Sequence, residues 1–125
     1  MRIREVIATV DSLKANQYPA SQKIRWLSDC DSNIWKSIIE THEKVPGMPD
    51  AFYGYTPDDG ESMLLAPAPH DILYRHYLET MIDFYNKDSN SYQNTSRLYN
   101  SAYTEFAAWY NRNYMPRQSV THFTL

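Results

Sequence analysis

Apolar residues recur at spacings of three and four along most of this chain, and that period predicts helices. Ile3, Val6, Ile7, Val10 and Leu13 make residues 2–14 a short amphipathic helix, with Arg2, Arg4, Glu5, Asp11 and Lys14 on its other face. Ala15-Asn16-Gln17-Tyr18-Pro19 breaks the pattern, and a second helix is expected to start between Pro19 and Ser21 and to end near His42. Ile24, Leu27, Ile34, Trp35 and Ile38 form its stripe, with Trp26, Cys30 and Ile39 beside it. Asp31 interrupts that stripe, so it lies either at the stripe's edge or inside with hydrogen-bond partners. From Pro69 to Met115 the pattern predicts a helical hairpin. Its first arm carries Ile72, Leu73, Tyr77, Leu78, Met81, Ile82, Phe84 and Tyr85, with Pro69 in the first turn and Asp71 favouring the helix N-terminus. Its second arm repeats by sevens, Tyr92-Tyr99-Phe106 in one row and Ser96-Tyr103-Tyr110 in another, with Ala102, Ala107 and Ala108 allowing close approach of a neighbour. The polar run from Asn86 to Ser91 joins the arms and offers Asp88 or Ser89 as an N-cap.

Residues 43–68 break this period. All three glycines and four of the seven prolines fall there, which excludes a helix. Phe52-Tyr53-Gly54-Tyr55 and Met63-Leu64-Leu65 flank Thr56-Pro57-Asp58-Asp59-Gly60, which predicts a short β-hairpin. A lone hairpin is marginal, so this insertion needs a surface to lie on, and Phe52, Tyr53 and Tyr55 are the candidate contact residues for a partner. Removing Phe52 to Met63 is expected to leave the helices folded. Beyond Met115, the extended tail 116–125 carries Val120, Phe123 and Leu125, whose β-branched and aromatic setting suits a strand or peptide added to a partner.

The fold class is therefore mostly all-α: a small helical bundle, residues 1–115, built on the C-terminal hairpin, with the 43–68 insertion and the extended tail. The expected core is Ile3, Val6, Ile7, Val10, Ile24, Leu27, Ile34, Ile38, Leu73, Tyr77, Met81, Tyr99, Phe106 and Trp109. At 125 residues one domain buries about two thirds of its unfolded surface, so such a core is feasible. Eleven Tyr against four Phe mean many rings whose hydroxyls need water or a partner, as at interfaces.

The net charge of −3, without a basic run, argues against a dedicated nucleic-acid binder. Cys30 has no second cysteine to pair with, and no apolar run approaches the roughly 20 residues of a membrane span. No signal-peptide pattern follows Met1, so the expected place of synthesis is the cytoplasm.

Catalytic chemistry finds little support. His42, His70, His76 and His122 lack metal-ligand spacing; His76, Glu79 and Asp83 share one helix face and read as a solvated polar face. Cys30 sits mid-helix without a cation beside it and reads as an inert thiol. No phosphate-cradling glycine loop and no nucleophile motif occurs, so no cofactor, metal or enzymatic activity is expected.

Five segments together resemble a known family. Arg4-Glu5-Val6-Ile7-Ala8 with Leu13, Gln22-Lys23-Ile24-Arg25-Trp26-Leu27-Ser28, Leu64-Leu65-Ala66-Pro67-Ala68-Pro69-His70-Asp71-Ile72-Leu73-Tyr74, Ile82-Asp83-Phe84-Tyr85-Asn86 and Ala108-Trp109-Tyr110-Asn111-Arg112 are similar to small head-to-tail connector (adaptor) proteins of tailed bacteriophages and prophages. The likeness spans nearly the whole chain and departs at Pro19-Ala20, where the family more often has a polar helix cap. It implies a virion protein without catalytic residues, in a ring of about a dozen copies beneath the portal protein, with closed rotational symmetry. It further implies contact with tail-side stopper, tail-completion or neck proteins, and genomic DNA passing without specific binding, which the negative charge would favour. A nucleic-acid-binding packaging module is the alternative, and a small helical enzyme a third reading.

Overall fold

In a computed structural model, which describes residues 1–44 and 46–116, the chain is a small, mostly α-helical bundle. The helices are α1 (Ile3–Leu13), α2 (Ala20–Ile34), α3 (Ile72–Tyr85) and α4 (Ser89–Asn113), and a single π-helical turn, Trp35–Ile39, extends α2. The Glu40 amide donates to the Trp35 carbonyl at 2.8 Å across five residues. That extra residue per turn rotates the stripe so that Trp35, Ile38 and Ile39 are all buried.

The hairpin forms as the sequence predicts. Asp88 caps α4, its carboxylate accepting from the Ser91 amide at 3.1 Å. Pro69 is not in the first turn of α3: it follows a cis peptide bond in a turn, and the helix starts at Ile72. Helix α3 packs against α4, α1 and α2, and is the centre of the bundle. Packed on three helices, α3 leaves only part of its surface to water, and Glu79 and Asp83 are buried rather than solvated as expected.

Of the expected core, Ile3, Val6, Ile7, Val10, Ile24, Leu27, Ile34, Ile38, Leu73 and Phe106 are buried, while Tyr77, Met81, Tyr99 and Trp109 are only half-buried against it. Tyr74 and Tyr110, both fully buried, and Leu64-Leu65-Ala66 complete the interior. Ala102 and Ala107 face neighbours, whereas Ala108 faces solvent.

The expected β-hairpin in 43–68 does not form. Met63 pairs instead with Arg2 in an isolated antiparallel bridge. The reason lies in α1, whose first-turn amides have no partner within the helix. Ile3 donates to the Ser62 carbonyl at 3.0 Å, Arg4 to Gly60 at 2.8 Å, and Leu64 donates back to Met1 at 3.0 Å. Two successive turns, closed by Asp59 to Thr56 (3.0 Å) and Ser62 to Asp59 (2.9 Å), bring the carbonyls there. The segment is thus part of the bundle, and deleting Phe52 to Met63 would strip α1 of these partners.

Helix α4 ends at Asn113, and the chain stays on the bundle as far as Pro116, which bridges His42. The Glu43 amide donates to the Met115 carbonyl at 2.9 Å, and the Tyr110 hydroxyl to the Glu43 carbonyl at 2.8 Å. Val120, Phe123 and Leu125 lie outside the described residues.

Candidate functional site

The three loop aromatics singled out in the sequence part company. Phe52 is half-buried, its ring 6.2 Å from Trp35 and 5.1 Å from Tyr55. Tyr53 is 95% exposed. Tyr55 turns inward and donates its hydroxyl to Asp31 Oδ2.

Asp31, fully buried, is where the loop, α2 and α3 meet. Its Oδ1 accepts from the Tyr74 hydroxyl at 2.5 Å and its Oδ2 also from the Leu65 amide at 3.1 Å. The Tyr74 oxygen in turn accepts from the Ala66 amide at 2.7 Å. The residue that interrupted the α2 stripe is therefore inside, with its partners supplied by distant segments. Burial pushes its carboxyl up to about 6, against the three hydrogen bonds that favour the ionised form. Burial also pushes both phenols upward, with the Asp31 charge reinforcing the shift, so they act as donors. A fully buried carboxylate that accepts from the loop and α3 in this way holds those segments together on α2.

The same loop approaches α2 closely at Gly54. Ser28 Oγ accepts from the Tyr55 amide at 2.9 Å, Gly54 has φ +90°, and a Cβ there would stand 2.6 Å from Ser28 Oγ. Gly54→Ala is expected to cost about 1–3 kcal/mol, read as a lowered urea midpoint, through both left-handed backbone strain and the clash.

Next to this junction runs an apolar groove of about 480 Å³, lined among others by Met48, Phe52, Met63, Leu65, Ala66 and Pro67. A second apolar surface sits at the far end of α3, where Phe84 and Tyr85 are 54% and 52% exposed and Phe84 lies 5.7 Å from Tyr92. Sequence reading assigned Phe84 and Tyr85 to the buried face. At about 100° per residue Phe84 stands about 200° from the inward Ile82, on the outer side, while Tyr85, in the last turn, is covered on one side by stacking on Trp26 at 5.5 Å.

A second buried carboxylate, Asp83, holds the other half of the bundle. Lys14 Nζ contacts both its oxygens, at 2.6 and 2.8 Å, and Thr95 donates to it at 2.9 Å, so α3 is tied to α4 and to the end of α1. Lys23, itself buried, reaches Asp11 at 2.6 Å. His76 Nδ1 lies 3.8 Å from Glu79 without a hydrogen bond, and desolvation lowers its pKa. Cys30 is buried with Sγ 3.8 Å from the Tyr99 hydroxyl, and burial pushes the thiol upward. Among the described residues no group of three His, Cys, Asp or Glu could hold a metal ion, and no helix is long and apolar enough to cross a membrane. No family model, curated protein or solved structure matches the chain.

Proposed function

We propose that the chain is a head-to-tail connector subunit of a tailed bacteriophage, one copy in a ring of about a dozen beneath the portal protein, joining it to tail-side neck components. The observation that carries this reading is the apolar surface at both ends of α3. The groove, with Met63 and Ile72 exposed near it, lies at one end, and Phe84, Tyr85 and Tyr92 lie at the other, one fourteen-residue helix or about 21 Å away. A subunit that must touch ring neighbours and components above and below needs contact surfaces on opposite sides, and exposed aromatics are the usual anchors. The interior polar groups support the same reading, because Asp31 and Asp83 are spent on joining segments of the bundle.

The rival reading, a DNA-packaging module, fares less well on charge placement. Arg2 and Arg4 face Glu61, Lys14 faces Asp83, Lys23 faces Asp11, and Arg75 faces Glu79, which leaves fewer cations to grip phosphate.

Electron microscopy of the protein mixed with its cognate portal tests the proposal. The expected result is a ring of density on the tail-facing side of the portal. Absence of portal binding, together with a DNA affinity that falls steeply with salt, would replace it with the packaging reading.

A further inference from the structure

The groove beside the Asp31 junction asks what covers it. Its lining offers Met48, Phe52, Met63, Leu65, Ala66 and Pro67, and the hydroxyl of the adjoining Tyr55 is already given to Asp31. Small-molecule sites add a few convergent polar groups to an apolar pocket. An apolar trough with flexible thioethers at Met48 and Met63 instead suits the side chains of an extended peptide.

The chain itself holds such a peptide. Nine residues follow Pro116, Arg117-Gln118-Ser119-Val120-Thr121-His122-Phe123-Thr124-Leu125, and Val120, Phe123 and Leu125 are its apolar side chains. Extended, nine residues span about 30 Å. The last described residues set the direction in which they start. Met115 and Pro116 run antiparallel to His42 and Glu43, so the chain at Pro116 heads back toward Thr41. Glu43 leads the opposite way, to Pro46 and the groove. At Pro116, the last described residue, the chain points away from its own trough.

We infer that residues 117–125 of one copy occupy the Met48–Phe52–Met63–Pro67 groove of a second copy of this chain. This deepens the connector reading, since it names the contact that would link neighbours around the ring. The link is heterologous: tail and groove are different surfaces, and repeated head to tail they close a ring. Linked copies gain from multiplicity, so a contact too weak to persist between two free monomers persists in a closed assembly.

Engineered cysteines test it in the full-length chain. Cys30 is 2% exposed and stays out of the reaction. Met63→Cys on the groove rim and Thr124→Cys in the tail are placed on separate chains carrying tags of different size, which are mixed and oxidised, both in concentrated solution and with portal present. Gln93→Cys, at the other end of the hairpin, replaces Met63→Cys as the control. The expected result is a mixed-tag disulfide at least tenfold above control in one or both samples, reduced to control level when Phe123→Asp is added to the tail chain. With Met63→Cys and Thr124→Cys on one chain, a ladder of multimers is expected. An intrachain disulfide in monomer alone would place the tail in its own groove and overturn the inference, as would mixed-tag cross-linking at control level in both samples. The two readings fail separately. Portal-bound rings without the cross-link would leave the connector reading intact and sink this one, whereas the cross-link in solution without portal binding would do the reverse.

Discussion

Asp31→Ala is expected to lower the free energy of unfolding by about 3–5 kcal/mol, because it leaves buried donors without their acceptor. The donors are the hydroxyls of Tyr55 and Tyr74 and the amide of Leu65, and they come from the loop and α3 onto α2. Urea denaturation measures the loss. Asp31→Asn keeps one acceptor oxygen in nearly the same volume and should cost about half as much or less; equal losses for the two substitutions would mean that the carboxylate is not what ties the loop down. The same site predicts a pH dependence with a definite sign. An acid raised from its ordinary 3.8 to about 6 binds its proton more tightly in the folded chain than in the unfolded one. Asp31 therefore contributes stability that is fully present below the unfolded value and is lost as pH rises through about 6. His76 works the other way in this window, since its lowered pKa disfavours folding as the ring protonates. Comparing the wild-type chain with Asp31→Asn removes that background. The wild type should gain about 1–1.5 kcal/mol relative to the variant between pH 7 and pH 5. No relative change, or one of opposite sign, would show that the hydrogen bonds outweigh burial at Asp31.

Asp83→Ala is expected to cost about 2–4 kcal/mol, again by urea denaturation, because Lys14 and the buried Thr95 lose their common partner. The Lys14 side chain is 24% exposed and can reach water in part, which keeps the loss below that of a fully enclosed pair. Replacing the whole group at once separates the worth of the network from the cost of breaking it. In the triple variant Lys14→Met, Asp83→Leu, Thr95→Val no charge or hydroxyl is stranded, and its stability should return to within about 1 kcal/mol of the wild type. A triple variant as weak as Asp83→Ala would mean that the polar group itself, beyond its mutual satisfaction, holds α1, α3 and α4 in register.

The amino-acid sequence by itself determined the helices, because period and breakers are local. Residues three and four apart share a helix face wherever the helix lies, and Pro, Gly and the Asn86–Ser91 run interrupt it on their own account. Asp88 as the cap of α4 was legible for the same reason, its partner being three residues away. The tertiary structure decided what depends on the neighbours of an element. Neighbouring helices cover Glu79 and Asp83 on the polar side of α3, and Asp83 is matched by residues 69 and 12 positions away. The hairpin predicted between Phe52 and Leu65 lost to the free amides of α1, a competition that no window around residue 60 contains. Asp31 posed its question in the sequence, and only the arrival of Tyr55, Leu65 and Tyr74 from 24, 34 and 43 residues away answered it, since a buried charge is acceptable only where distant donors converge.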